Sequence, residues 1–453
     1  MKSKSFDRIV FFILAGLALL LVVIILAGGW IGARPPVADL PTSGAVGMGG
    51  PLSLRFPQNM QRSTVEARFH TEPALEGRFQ WDEHTLHFWP NDALQAGDVY
   101  EVILREGAQT EDGQVIRQEA RLSFAVRRPE VVFMMPVTGN AEIWVSSIEA
   151  SILRPLTQTN GMVYDFGVAA DGEHIVYSVR NDMEGLDLWM VDRSGENQIL
   201  LLDCGRDWCS SPAISPDGTR IAYARRIANI QPGASPGVPR IWMYTMDSVQ
   251  TAPLYSDQAI TGFDPLWSES GDQLAFFDGA NGGIRVLTMD TEHEVFLPSN
   301  MGMVGSWSPD GQRMMFADMV MASQRPYTVV YEADFKNEVV TPALSSELVR
   351  TEYGRPAWSP DSEWIAIGIR AFGGSNTQQI WIMRPDGSDP FAVTSDLTYT
   401  NTAYRWHPAG EMLVFQRLKL ASAQQTPEVV VWHRRTETFT VLGKDAGFAN
   451  WLP

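Results

Sequence analysis

The chain has 453 residues, of which 45% are hydrophobic and 19% are charged, a balance that indicates an ordered globular protein and excludes a disordered one. Its 35 Lys and Arg stand against 53 Asp and Glu, so the formal net charge is −18. This balance argues against a nucleic-acid partner, because nucleic acids are bound by basic surfaces that displace their counterions.

The first predicted element is an apolar segment near the N-terminus. Residues 9–33 contain no charged side chain, and about 20 such residues span the hydrocarbon core of a bilayer as a helix. A cleaved signal peptide is the alternative, but its apolar region is usually about 7–15 residues long. The residues before Arg34 also match an A-x-A cleavage site poorly. We therefore predict a retained transmembrane anchor at 9–30.

Basic residues set the predicted orientation of this anchor. Three of them precede the segment, namely Lys2, Lys4 and Arg8. The positive-inside rule then leaves the tail, residues 1–8, in the cytoplasm and the rest of the chain outside it. The prediction is a single-pass protein of the cell membrane, with a Pro-containing stalk at 31–40 and a large extracytoplasmic body.

Residues 41–128 predict a β-sandwich, because short alternating segments are separated by Gly, Pro and Asn turns. Its landmarks follow in the order Phe56, Met60, Pro90, Leu94, Gly97, Tyr100, Asp112-Gly113 and Phe124. This order resembles the bacterial Ig-like domain of the S-layer SbsA type. The turn "TEDG" is shorter than in that family, and the last strand ends in "FAV". The resemblance implies a spacer or adhesive module without catalytic residues.

Residues 130–453 contain a repeated pattern, in which a lead residue and a tight turn precede a short apolar strand, as in "WSPDGQRMMF". The lead residues are Val168, Ile214, Trp267, Trp307, Trp358 and Trp406, at spacings of 46, 53, 40, 51 and 48 residues. Repeats of about 40–50 residues with several short strands each indicate a β-propeller. The turn residues, among them Asp171, Gly172, Asp217, Gly218, Asp310 and Gly311, are predicted to be structural rather than ligands.

These repeats resemble the TolB-like propeller family, whose blades carry W-S-P-D-G-x-x-[IL]-[AV]-[FY]. The pattern is looser after Val168, at Glu269-Ser270 and at Ala409. The resemblance implies four-stranded blades, in which the turn joins the innermost strand to the second and the Trp packs between neighbouring blades.

The two ends of the repeat region predict how the ring closes. Residues 131–158 supply a second, third and fourth strand without a first one, whereas the chain ends in "GFANWLP". The simplest assembly completes the first blade with this C-terminal strand, which leaves no exposed sheet edge. The prediction is an all-β propeller of seven blades, and six is the alternative if residues 131–158 pack elsewhere.

Cys204 and Cys209 are separated by four residues and lie in the predicted extracytoplasmic body. A disulfide suits that location. Two buried free thiols are an alternative, and a metal site is another, although it would need ligands besides these two.

No residues with a recognisable catalytic arrangement occur in the sequence. It has no G-x-S-x-G, H-E-x-x-H, phosphate-binding loop or dinucleotide fingerprint. Of the seven His, only His84 and His87 are close in sequence, and a strand would place them on opposite faces. We predict no catalytic residue, no metal and no cofactor, and hence a chain that is not an enzyme. The alternative is a lyase or hydrolase that acts on an extracellular polymer.

Binding residues are predicted from loop lengths. Several loops between second and third strands are long, namely 227–239, 319–326, 371–379 and 418–428, and insertions on one face usually mark a binding face. Four arginines stand near the ends of second strands: Arg180, Arg226, Arg370 and Arg417. They could form a ring for an acidic group, or they could be ordinary arginines paired with acidic neighbours. The predicted function is binding or scaffolding in the cell envelope, with a protein, peptide or glycan as the partner.

Overall fold

A computed structural model describes residues 17, 33–40, 44–92, 94–229, 236–322, 325–345, 351–371, 376–420 and 425–453. The chain divides into two compact units, Met1–Arg127 and Arg128–Pro453. Within the described ranges, no helix has both the length and the apolar character that a membrane crossing needs. The predicted anchor at 9–30 lies outside the described residues except for Leu17, so it stays a prediction.

The first unit is built from strands with one short helix. The strands are β1 (Val37–Ala38), β2 (Leu52–Arg55), β3 (Phe69–Glu72), β4 (Gly77–Asp82), β5 (Thr85–Pro90), β6 (Val99–Leu104) and β7 (Ala120–Ala125), and the helix is α1 (Arg62–Glu66). They form two antiparallel sheets, in the orders β1-β2-β5-β4 and β3-β6-β7. Part of the predicted stalk therefore belongs to a sheet, because β1 pairs with β2.

The core of the first unit contains many of the residues that marked its sequence. Phe56, Leu94 and Phe124 are each at most 2% exposed. Gly97 and Gly113 have φ angles of +85° and +84°, a backbone conformation that favours glycine. The all-β character is confirmed, while the resemblance to the SbsA type stays a prediction.

Among the described residues of the second unit, all the helices and strands that occur are β-strands. They are β8 (Glu130–Met135), β9 (Glu142–Ser147), β10 (Leu153–Pro155), β11 (Val163–Val168), β12 (His174–Arg180), β13 (Leu186–Asp192), β14 (Gln198–Leu202), β15 (Trp208–Ile214), β16 (Arg220–Arg226), β17 (Arg240–Thr245), β18 (Gln250–Pro253), β19 (Phe263–Trp267), β20 (Gln273–Asp278), β21 (Gly283–Thr288), β22 (Glu294–Pro298), β23 (Ser306–Trp307), β24 (Arg313–Ala322), β25 (Arg325–Asp334), β26 (Val339–Ser345), β27 (Thr351–Tyr353), β28 (Ala357–Trp358), β29 (Ile365–Ala371), β30 (Gln379–Met383), β31 (Phe391–Ala392), β32 (Tyr399–Trp406), β33 (Met412–Lys419), β34 (Pro427–His433), β35 (Thr438–Lys444) and β36 (Gly447–Leu452).

Antiparallel pairing joins these strands into successive groups. The groups are β8–β10 with β36, β11–β14, β15–β18, β19–β22, β23–β26, β27–β31 and β32–β35. A single parallel bridge between Leu186 and Trp208 connects the second group to the third. First strands of neighbouring groups contact each other, as β15 does with β19 and β28 with β32. They are therefore the inner strands, as in a propeller, while the number of blades stays a prediction.

The Pro-Asp-Gly turn forms because polar atoms of the turn satisfy one another. In the turn that starts at Ser308, the Ser308 hydroxyl donates to Asp310 Oδ1 (2.5 Å) and accepts from the Arg313 backbone N–H (2.9 Å). Asp310 Oδ1 also accepts from the Gln312 N–H (3.1 Å). Gly311 has a φ of +67°, so a side chain there would be strained. These contacts give the turn a structural role.

His407 replaces the serine in the last of these turns, and its pH response can be tested. It is 1% exposed, and Nδ1 accepts from the Ala409 N–H (3.2 Å). Burial, together with the charge of His433, lowers the pKa of His407 to about 4. Because an unfolded His titrates near 6.5, this site should lose about 3 kcal/mol of folding free energy as the pH falls from 6.5 to 4. Relative to His407→Asn, the wild-type chain should lose this amount in denaturant unfolding.

The same comparison with His293→Asn is the control, because His293 is exposed. A difference between the wild type and His407→Asn that stays constant from pH 7 to pH 4 would contradict the prediction.

Four tryptophans connect their groups to the group before. An indole Nε1–H donates to a backbone carbonyl of the preceding inner strand in four places: Trp267 to Ala213 (3.0 Å), Trp307 to Leu266 (3.2 Å), Trp406 to Ala357 (3.0 Å) and Trp451 to Arg405 (3.1 Å). Arginine stacking adds to this packing, with Arg220 4.9 Å from the Trp267 ring and Arg313 4.9 Å from the Trp358 ring. The lead Trp therefore packs between neighbouring groups, as its position in the repeat predicts.

The C-terminal strand pairs with the first group, as predicted. β36 is antiparallel to β8, with Trp451 opposite Val131 and Leu452 opposite Glu130. Trp451 and Leu452 are 4% and 0% exposed. The first group, which lacks an inner strand of its own, therefore takes that strand from the other end of the chain.

One predicted loop is instead a longer hairpin. Residues 319–326 were expected to connect strands, but β24 continues to Ala322 and β25 begins at Arg325, with Met319 opposite Thr328 and Val320 opposite Tyr327. β-Branched and aromatic residues favour this pairing, which extends the two strands beyond the rest of their group.

Candidate functional site

The second unit has two faces that differ in their connections. Strands alternate in direction within a group, so the connections from second to third strands and from fourth strands to the next group emerge on one face, here the loop face. The Pro-Asp-Gly turns emerge on the opposite face, here the turn face. Loops on a rigid scaffold are the usual place for binding residues, so the loop face is the candidate.

The four predicted arginines differ in their surroundings. Arg370 forms an ion pair with Glu352, and Arg417 Nη2 lies 2.8 Å from Glu428 Oε2. These two arginines therefore agree with the alternative prediction, in which they form ordinary ion pairs with acidic neighbours. Arg180 and Arg226 are exposed at the ends of β12 and β16, and no ion pair within 4.0 Å is found for them among the described residues. The ring as a whole stays a prediction.

Large apolar side chains lie beside Arg180 and Arg226 on the loop face. Tyr164 is 49% exposed, and its ring centroid lies 6.0 Å from that of Trp208. The Trp208 indole N–H donates to the backbone carbonyl of Glu184 (3.0 Å), next to Met183, which is 52% exposed. Met162 is also exposed. We call Met162, Tyr164, Met183 and Trp208 the aromatic patch.

Backbone contacts place the two arginines at this patch. The Arg180 N–H donates to the Met162 carbonyl (3.0 Å), and Arg226 is the register partner of Trp208. Sequence reasoning missed the aromatic patch because it considered loop length and charge. The available signal was the presence of Met and aromatic residues at the entry to inner strands, where solvent-facing residues would ordinarily be polar.

A disulfide lies in the connection that leads to the aromatic patch. Cys204 and Cys209 are bonded, with their Cα atoms 6.4 Å apart, and both are buried. They flank the turn before Trp208, so the bond restrains the backbone that positions this side chain.

Asp165 follows Tyr164 on the same inner strand. Its carboxylate accepts from the Ser178 hydroxyl and from the Ser211 N–H (2.7 Å). Burial raises the pKa of Asp165 to about 6, although these hydrogen bonds act in the opposite direction. Both oxygens have partners within the protein, which favours a role in holding β11 and β15 together.

Two charged residues form an ion pair on another part of the second unit, and a third interacts with them electrostatically. Arg355 Nη1 lies 3.6 Å from Asp264 Oδ2, and Arg355 Nε donates to the Gly305 carbonyl (3.0 Å). The charges of Arg355 and Asp264 both act on Arg405. We call Asp264, Arg355 and Arg405 the charge cluster. None of the three was singled out from the sequence.

Arg405 is solvent-exposed but lies within the ring of inner strands. Its strand, β32, contacts β28 and β36, and its side chain is exposed. Desolvation near the inner strands and then the charge of Arg355 lower the pKa of Arg405, while the charge of Asp264 raises it.

A metal centre is not assembled in the part of the chain that the structure describes. There, no group of three or more His, Cys, Asp or Glu side chains is placed to hold an ion. The geometry on the loop face instead offers apolar contact and positive charge, which are the elements of a binding surface.

No known family model matches this sequence, and no curated protein does. Among solved structures, TolB from Acinetobacter baumannii is similar, at 18% identity over 69% of this chain and 79% of that one, with a TM-score of 0.43. The β-propeller domain of the Trilobed protease from Pyrococcus furiosus is 11% identical over 77% and 93%, with a TM-score of 0.48. A puromycin-hydrolysing peptidase from Mycobacterium tuberculosis is 15% identical over 90% and 57%, with a TM-score of 0.52. These likenesses concern the fold alone, and the grouping of the strands is that of a β-propeller.

The peptidase corrects the prediction that the chain is not an enzyme. A solved structure described as a peptidase shares this fold over 90% of the present chain, so the fold does not by itself exclude catalysis. The prediction was wrong because it took the absence of familiar catalytic motifs as evidence against an activity, whereas one fold can carry either role.

Proposed function

We propose that the chain is a membrane-anchored, extracytoplasmic binding or scaffolding protein of the cell envelope, whose seven-bladed propeller engages a protein or peptide through the loop face. The groups of strands support seven blades, because each inner strand follows the one before it and β36 returns to the first group. The anchor is supported by the uncharged segment at 9–33 and the extracytoplasmic location by the Cys204–Cys209 disulfide.

The observation that carries this proposal is the aromatic patch with its two arginines. Exposed apolar side chains that cluster on one surface usually mark an interaction site. Aromatic residues, Met and Arg are the types enriched at protein interfaces. Arg180 and Arg226 add charge that the surrounding described residues do not neutralise, so they can pair with acidic groups of a partner.

Site-directed cross-linking tests which face binds. A photoreactive amino acid replaces Met183 on the loop face or Gln312 on the turn face, each in the full chain in its own cells. Met183 is 52% exposed and Gln312 is also exposed. We expect a discrete adduct from position 183 and none from position 312. Adducts from position 312 alone would show that the partner binds the turn face, which would contradict the proposal.

Arginine substitutions test the contribution of charge. The double variant Arg180→Ala and Arg226→Ala should weaken capture of the cross-linked partner about tenfold, because each lost contact with an acidic group costs about 1 kcal/mol or more. Added salt should weaken capture by the wild type. The matched control is Arg435→Ala, since Arg435 is 85% exposed in the connection between β34 and β35. Equal capture by all three chains would contradict the role of the two arginines. Turnover of envelope polymers is measured on the same samples, because the fold also occurs in a peptidase.

A further inference from the structure

One edge of the first unit is an open strand. β4 is the last strand in the sheet order β1-β2-β5-β4, so it has a strand partner on one side alone, β5. The phase of this pairing is fixed by the Asn91 N–H, which donates to the Glu76 carbonyl (2.9 Å). Because bonded and non-bonded pairs alternate along an antiparallel ladder, the N–H and C=O groups of Gly77, Phe79 and Trp81 point away from β5. No hydrogen bond to these main-chain groups is found among the described residues.

β4 lacks the features that usually protect such an edge. Proteins discourage edge pairing with prolines, bulges or very short edge strands. Several outer strands of the second unit contain a proline, as in Leu153–Pro155, Gln250–Pro253 and Glu294–Pro298. β4 has six residues, no proline and no shift in its register with β5. Its backbone is therefore ready to pair with a further antiparallel strand.

The side chains of β4 alternate between the two faces of the sheet. Phe79 and Trp81 lie on one face, and Phe79 is 37% exposed at the edge. Arg78, Gln80 and Asp82 lie on the other face, where all three are exposed. For Arg78 and Asp82, no ion pair within 4.0 Å is found in the part of the chain that the structure describes. The edge thus offers exposed aromatic surface on one face and one charge of each sign on the other.

We propose that β4 pairs with β4 of a second copy of this chain, antiparallel and centred on Gln80. In this register Arg78 faces Asp82 of the second copy, Phe79 faces Trp81 of the second copy, and Gln80 faces itself. Twofold symmetry repeats each pair, as in an isologous interface. Opposite charges and aromatic side chains directly across two strands stabilise a sheet, and the outward main-chain groups of Phe79 and Trp81 bond to each other. This inference concerns the first unit and goes beyond the proposed function.

Charge distinguishes this register from its two neighbours. The register centred on Phe79 brings Glu76 opposite Asp82, and like charges directly opposite each other disfavour pairing. The register centred on Trp81 places the Phe79 ring opposite the charged Glu83. Of the three, the proposed register alone pairs both charges of β4 with their opposites. A second copy is favoured over another protein because the strand is its own complement.

Self-cross-linking tests the register. Gln80→Cys in the full chain places a thiol on the twofold axis, opposite the same thiol of the second copy, in a close pair that a disulfide can bridge. Mild oxidation in the protein's own cells should give a dimer of twice the chain mass on a non-reducing gel. Ser123→Cys is the matched control and should give none, because Ser123 is exposed in the middle of β7, the last strand of the other sheet. Equal dimer from both positions, an adduct of position 80 with a different protein, or no adduct from position 80 would overturn the inference.

Charge reversal tests the complementarity. In sedimentation equilibrium of the full chain, Arg78→Asp and Asp82→Arg should each weaken self-association about tenfold, because symmetry turns two attractive pairs into two repulsive ones. The double reversal should restore association, since opposite charges face each other again, and damage to the fold cannot produce such a recovery. Single variants that associate like the wild type, or a double variant as weak as the single ones, would overturn the inference.

Discussion

A chain that lacks residues 446–453 is expected to lose most of the stability of its second unit. The deletion removes β36 and leaves β8 with an unpaired edge. It also exposes the surfaces that covered Trp451 and Leu452, which are 4% and 0% exposed. Truncating one such Trp or Leu in a core costs about 2–5 kcal/mol. Their combined loss is comparable to the whole free energy of unfolding of a typical domain, about 5–15 kcal/mol.

Thermal unfolding and light scattering measure this effect. The midpoint should fall sharply, and the open edges should cause aggregation. Phe448→Ser is the control, because Phe448 belongs to the same strand but is 64% exposed, and its loss should change the free energy of unfolding by about 0.5 kcal/mol or less. An unchanged midpoint for the truncated chain would show that the C-terminal strand does not close the ring.

The fold of the second unit could be predicted because its determinants are local. The turn at Ser308 is specified by residues within five positions of one another, and the lead Trp recurs with it. Even the closure could be predicted, since the first group lacks one strand and the C-terminal segment supplies one. What failed was the length of β24 and β25, because the residues in 319–326 were interpreted as a loop from their position between strands.

The candidate site was harder to predict because its residues meet through the tertiary fold. The aromatic patch combines Tyr164 with Trp208, and the charge cluster combines Asp264 with Arg355. Neither pair leaves a local motif. Aligning the repeats on their lead Trp would have shown Asp264 and Arg355 at one position, but not the contact between them. Loop length identified a face of the propeller, whereas the arginines chosen by strand position included Arg417, which is paired with Glu428.

Removal of the Arg193 side chain should strongly destabilise the ring. Arg193 follows β13 in the second group, yet Nη1 donates to the Pro453 carbonyl (2.7 Å) and Nη2 to the Leu452 carbonyl (3.1 Å). Nη2 also lies 3.0 Å from Glu130 Oε2, and the Arg193 side chain is only 10% exposed. One guanidinium therefore connects the second group to both β8 and β36. Sequence inspection could not find it, because residues 193 and 453 are 260 positions apart.

Arg193→Met should lower the free energy of unfolding by about 3–5 kcal/mol, because it leaves a largely buried carboxylate at Glu130 without its closest cation. Arg154→Met is the matched control: Arg154 Nη2 is 3.7 Å from the same carboxylate, and its side chain is 32% exposed. Its loss should cost about 1 kcal/mol, as is usual for partly exposed ion pairs. Adding Glu130→Gln to Arg193→Met should recover part of the stability, since the unpaired charge is then absent. Denaturant unfolding of the wild type and of these three variants measures the differences. Equal losses for the two arginine variants, or no recovery in the double variant, would show that closure depends on strand pairing and Trp451 packing rather than on this buried ion pair.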